Sequence, residues 1–156
     1  MLISVYINTM KHLFTLILTI YSLTLFSQIK IDQSGEGWKE IVENAVLLVK
    51  NTDTSTHNLL VKHCQKIGFW GGNYSAAEGS EIYICRDDIL LGSVKNIACI
   101  LVHESKHLEL QSKGLPLQEE ECMCYKYELE FINKLQDVEW LKQNCELRLN
   151  QYDCNI

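Results

Sequence analysis

The chain of 156 residues contains a single proline, Pro116. Proline interrupts helices more sharply than any other residue, so its scarcity leaves long stretches free to be helical and makes the one present a boundary marker. Clusters of Lys and Arg are also missing: 14 basic residues stand against 20 acidic ones, for a formal net charge of −6. Such a chain repels phosphate backbones, and it carries neither a basic stripe nor aromatic residues interleaved with basic ones, so nothing supports nucleic-acid binding. The negative balance serves solubility. Repeats, low-complexity tracts and linkers are absent as well, and the length suits one domain with one core.

Residues 1–27 lack Asp and Glu and hold one basic residue, Lys11. Behind Lys11 and His12, the segment from Leu13 to Leu25 is apolar apart from Thr, Ser and one Tyr. This is the profile of a signal peptide opening at Met10 and cleaved near Ser27. The alternative is an uncleaved N-terminal anchor, but a span needs about 20 apolar residues. No Cys lies near the cut, which disfavours a lipid anchor. The expected product is an exported domain of residues 28–156, periplasmic or secreted, with no stable membrane span. Losing Lys11 moves its formal charge from −6 to −7.

The seven cysteines, Cys64 to Cys154, all follow this segment, and export to an oxidising compartment favours disulfides. An odd number leaves at least one thiol free or paired between chains. Cys99, inside "IACILV", fits a buried free thiol. Cys122 and Cys124 would point to nearly opposite sides of a helix, so only one of them is expected to bond to Cys145 or Cys154. Cys64 with Cys85 is the other expected pair.

Apolar residues from Trp38 to Val49 recur at helical spacing, predicting a helix over 38–50. A short second helix, capped by Ser55 or Thr56, should run to about Lys66. "GFWGGNYSAAEGS" reads as a loop or hairpin and Ile82 to Cys85 as a strand. Ser93 offers an N-cap for a helix over 94–112, which Gly114 and Pro116 would end. Further helices are expected from Leu117 through "EEECMCYKYELEFINKL" and over 138–149. The fold class is therefore α+β, rich in helix, with a small sheet preceding the helix over 94–112.

That helix carries His103-Glu104-Ser105-Lys106-His107. Residues i and i+4 lie on one helix face, so His103 and His107 can close on one metal ion with Glu104 beside them. In the pattern H-E-x-x-H the imidazoles hold zinc and the Glu takes a proton from water whose pKa the ion has lowered. Glu104 shares its face with Ile97, Ile100, Leu101 and Leu108, where an unpaired carboxylate would be costly. The alternative is a pair of ordinary histidines at the edge of the core.

A catalytic zinc takes three protein ligands and one open position. Cys99 is too far from His107, about 12 Å along a helix, and reads as packing. The longer metzincin pattern is excluded, because Leu110 and Lys113 stand at its diagnostic Gly and His. The following helix offers acids. Glu119 and Glu120 read as compensation of the helix dipole at a solvated end. Glu121 shares its face with the small Cys124 and with Tyr125, where two helices can approach closely; Glu128, two turns on, is the second choice.

HESKH, a Gly-Pro turn and "ECMCY" resemble the gluzincin branch of zinc metallopeptidases, and more closely small bacterial metallopeptidase-like proteins with a Glu-x-x-small-Tyr second motif. The resemblance covers about residues 80–131. It implies a minimal zincin-like domain with Zn2+ held by His103, His107 and Glu121, Glu104 as general base, and a peptide or protein substrate. Larger gluzincins often carry an Asp four residues after the ligand Glu; here it is Tyr125, which could instead donate to a developing oxyanion or simply pack between helices. The resemblance also implies that "EIYIC" acts as an edge strand along which a peptide aligns. The expectation is thus an exported zinc metallopeptidase, with a catalytically inactive zincin-like or disulfide-stabilised binding protein as the alternative.

Overall fold

One helix that is apolar on nearly every side organises the structure. In the computed structural model, which describes residues 29–32, 37–91 and 93–154, helix α4 spans Val94–Leu110 and buries ten of its 17 residues. A helix so thoroughly covered is a central element. Ser93 caps it as expected, its side chain accepting from the backbone N–H of Asn96. The segment read as a signal peptide lies outside the described residues, and no helix among those described is long and apolar enough to cross a membrane.

Around α4 stand α1 (Trp38–Thr52), α2 (Thr54–His63), the short α3 (Arg86–Leu91), α5 (Leu117–Ile132) and α6 (Glu139–Gln151). A four-stranded sheet of β1 (Lys30–Ile31), β2 (Lys66–Trp70), β3 (Ala76–Glu78) and β4 (Glu81–Cys85) packs beside them. The small sheet is complete before α4 begins, and the fold is α+β, as expected. Val42 and Val49 of α1, Leu60 of α2, Ile67, Ile82 and Ile84 of the sheet, Ile97 and Leu101 of α4, and Phe131 of α5 fill one core without solvent contact or nearly so. Each such side chain stabilises the fold by about 1.5–3 kcal/mol relative to exposure.

The sheet order is β1-β2-β4-β3, with β1 and β2 parallel, β2 and β4 parallel, and β3 antiparallel to β4. The β3–β4 hairpin turns at Gly79, whose φ of +61° is open to glycine at little cost. This topology corrects two expectations. "EIYIC" is an inner strand, hydrogen-bonded on both sides, because β3 folds back over the edge that β4 would otherwise expose; the free edge is β3 instead. Cys64 and Cys85 are both free. Cys64 lies just before β2, whose Lys66 is paired with Glu81, whereas Cys85 pairs with Trp70 at the opposite end. Four residues of strand separate those ends by about 13 Å, beyond the reach of a disulfide.

Three elements escaped the sequence patterns: β1, β2 and α3. The cap of α2 is Asp53 and neither Ser55 nor Thr56; its Oδ1 accepts from the backbone N–H of both, at 2.9 and 3.4 Å. Asp53 also pairs with Lys134 at the end of α5. Lys134 and then Ser55 hold its carboxyl well below the usual carboxylate range, against a smaller opposing effect of burial. A depressed carboxylate contributes stability at neutral pH that is lost as pH falls through the acid range. Asp53→Ala is therefore expected to cost about 1–2 kcal/mol in urea unfolding at pH 7, and the difference from the parent should shrink on acidification.

The structure pairs Cys122 with Cys154, tying α5 to the end of α6 across 32 residues. Cys99 is buried and free, as its apolar surroundings predict.

Candidate metal centre

Helices α4 and α5 are joined by a 3-10 turn over Gln111–Lys113 and by Gly114, whose φ is +60°. They run antiparallel, so the acids of α5 meet the histidines of α4 in reverse order. Glu128 lies against His103, Glu120 against His107, and Glu121 between them.

The details follow from the two ends of each imidazole ring. His103 Nδ1 lies 3.1 Å from Glu128 Oε2 and His107 Nδ1 lies 2.8 Å from Glu120 Oε1. An ionised carboxylate can only accept, so each Nδ1 carries the proton and donates. The two Nε2 atoms then face each other at 3.1 Å. Glu121 completes the group, with Oε2 3.5 Å from His103 Nε2 and Oε1 3.6 Å from His107 Nε2. Two neutral rings in these tautomers would direct two lone pairs and a carboxylate at one point. That arrangement calls for a positive charge at its centre, and the donor set of two imidazoles and one carboxylate suits zinc. The partners on Nδ1 are what a ligating histidine ordinarily has, fixing its tautomer and raising its basicity.

A proton is the simplest cation to fill the gap. Burial opposes the charged ring of His103, but its hydrogen bonds to Glu121 and Glu128 and the charges of Glu128 and Glu104 prevail and push its pKa up to about 10. Burial likewise opposes ionisation of Glu121, yet the His103 hydrogen bond and the two imidazoles hold it below the usual carboxylate range. A zinc ion held between the two Nε2 atoms would have to displace the His103 proton. Zinc affinity is accordingly expected to fall as pH drops below about 10, by up to about tenfold per unit for one displaced proton, in competition against a colorimetric chelator across the neutral range. A flat profile would contradict the arrangement.

Glu104 is 7% exposed. Burial pushes its carboxyl up, partly offset by the charges of His103 and His107. It opens onto a cleft of about 300 Å³ lined also by His103, Tyr125, Glu128, Ser75 and Arg148. Tyr125 lies with its ring centroid 4.3 Å from that of His103 and 5.8 Å from that of Tyr152, so the aromatic both packs and faces the cleft. On the opposite rim Ser75 donates to Asp88 at 2.6 Å and accepts from the Cys85 backbone N–H at 3.0 Å, fixing the loop before β3.

His103, His107, Glu104, Glu121 and Tyr125 are thus brought together. Glu119 is exposed at the helix start, as expected. Glu120 is not: it reaches His107 and does not simply offset the dipole. Glu128 meets the Nδ1 side of His103, whereas Glu121 lies on the Nε2 side that faces His107. Cys124 does more than allow the two helices to approach. Its buried sulfur and one ligand nitrogen of each imidazole all lie within 4.8 Å of one another. No family model, no curated protein and no solved structure matches this chain.

Proposed function

We propose that the chain is an exported, zinc-dependent metallopeptidase of gluzincin type, with a peptide or protein as substrate. One observation carries the reading: both Nε2 atoms and the Glu121 carboxylate converge on one point while Glu128 and Glu120 hold the opposite ring nitrogens. One proton between the rings satisfies an ordinary histidine pair, and the added Glu121 carboxylate gives the point a charge that suits a divalent cation.

In this reading His103, His107 and Glu121 hold Zn2+, which when bound would act as a Lewis acid toward water and a peptide carbonyl. Glu104 takes the proton of the attacking water and passes it to the departing amine. Its burial among apolar residues keeps competing water away, and an adjacent cation favours the ionised form that a base needs. Tyr125, whose ring lines the cleft beside His103, would donate to the oxygen on which negative charge develops. Glu120 and Glu128 orient the imidazoles. The free edge of β3 is the strand along which an extended peptide could add.

A specific observation favours a second reading, a catalytically inactive exported zinc module: the buried Cys124 thiol close to both imidazoles could complete a closed set of four protein ligands. Peptide-library digestion separates the two. Full-length chain exported through its own N-terminus and loaded with about one zinc per molecule should cleave the library, lose activity on chelation and regain it with zinc. A stoichiometrically loaded protein that cleaves nothing would sink the peptidase reading and leave the zinc module.

A further inference from the structure

We propose that Cys124 Sγ is itself a ligand of the metal beside His103 and His107, with the Glu121 carboxylate, which lies outside the close group of the other three, as the fourth. The inference rests on the metal-site reading above. Glu121 and Cys124 are three residues apart on α5 and so share a face, the face that meets His103 and His107. Cys124 is fully buried, and its sulfur and one nitrogen of each imidazole fall within 4.8 Å of one another. Ligand atoms on one tetrahedral zinc lie about 3.4–3.6 Å apart, given Zn–N near 2.05 Å and Zn–S near 2.3 Å. Closing the difference takes about 1 Å, within the range of small side-chain rotations.

The other free thiols are accounted for. Cys64 donates to the Lys66 carbonyl at 3.2 Å, Cys85 to Asp88 at 2.9 Å and Cys145 to the Tyr125 carbonyl at 3.3 Å. Cys99 sits in the apolar core. Cys124, among the described residues, makes no hydrogen bond and faces nitrogen donors instead. On binding, the S–H bond breaks heterolytically, the sulfur keeps the electron pair and gives it to the metal, and the proton leaves to water. A thiolate donor selects zinc, cobalt and other borderline or soft ions over magnesium and calcium. It also fills the fourth position, which is the closed set of the second reading above, so the open catalytic site would form only when the thiol leaves the ion.

Cobalt(II) titration of the full chain tests this without reference to activity. The expected spectrum has visible d–d bands and, with them, a near-ultraviolet sulfur-to-cobalt charge-transfer band. Cys124→Ser and Cys124→Ala should lose the near-ultraviolet band and keep the d–d bands, with cobalt affinity lowered by about 100- to 1,000-fold. Should neither Cys124 variant fold, single Ser variants of Cys64, Cys85, Cys99 and Cys145 decide by elimination: each should retain the band. The d–d bands without the charge-transfer band in the parent would overturn the thiolate ligand and leave the two-histidine, one-glutamate site standing. No cobalt uptake would overturn both.

Discussion

Replacing His103 or His107 with alanine is expected to leave the purified chain without stoichiometric zinc, whereas the parent should carry about one ion per molecule. Apparent binding free energies of structural zinc are about 10–16 kcal/mol. Shared among three or four ligands, that is about 3–5 kcal/mol each, or two to nearly four orders of magnitude in affinity. The actual loss should lie toward the upper end. Removing either ring also strands its partner acid, Glu128 or Glu120, without the N–H that it accepts, and removing His103 takes away the group that the Glu121 carboxylate contacts at 3.5 Å. Metal analysis after dialysis against a weak chelator measures this, with circular dichroism to confirm that the helices persist. Full zinc in both variants would remove the site altogether.

The two carboxylates nearest the histidines should fail in different ways. Glu104→Gln is expected to bind zinc as the parent does and to lose hydrolysis by about 10²–10⁴-fold, the usual contribution of a positioned general base. An amide keeps the shape of the side chain but cannot take up the proton. Burial already raises the Glu104 carboxyl, so the amide should pack there with little loss of stability. Glu121→Ala should instead weaken zinc directly, because its carboxylate bridges toward both Nε2 atoms. Parallel zinc titrations and peptide turnover on the two variants separate the roles. Equal behaviour of the two, in either assay, would mean that the geometry between α4 and α5 has been misread.

The parts of this site that depend on one helix were legible in the sequence, and the parts that depend on how two elements cross were not. His103 and His107 fall on one face by their spacing alone, and Ser93, Gly114 and Pro116 bracket the helix with local signals. Glu121 could be singled out because Cys124 beside it permits close approach. Glu120 could not, since acids in a first helical turn have a general electrostatic reason to be there, and only the antiparallel crossing brings this one to His107. The same limit applies to Glu128, whose two-turn spacing from Glu121 is readable but whose approach to Nδ1 is not. In the sheet, β1 is two residues long and gives no alternation to read, while β2 lies partly in a stretch rich in glycine. The distance between Cys64 and Cys85 is set by the register of β2 on β4, a non-local pairing invisible to cysteine spacing.

The bond between Cys122 and Cys154 has a further consequence for the integrity of the molecule. Between α5 and α6 the chain passes through an exposed turn at Asn133, Lys134, Gln136 and Asp137, the kind of site at which proteolysis concentrates. One cut there would separate the sequence into two polypeptides. Because Cys122 lies before the turn and Cys154 after it, the pieces would still travel as one covalent molecule, with Leu141 and Leu149 of the released segment held at their places in the core. A nicked chain would migrate intact on a non-reducing gel and fall into two bands only after reduction. The fold would in this way survive a backbone break between α5 and α6.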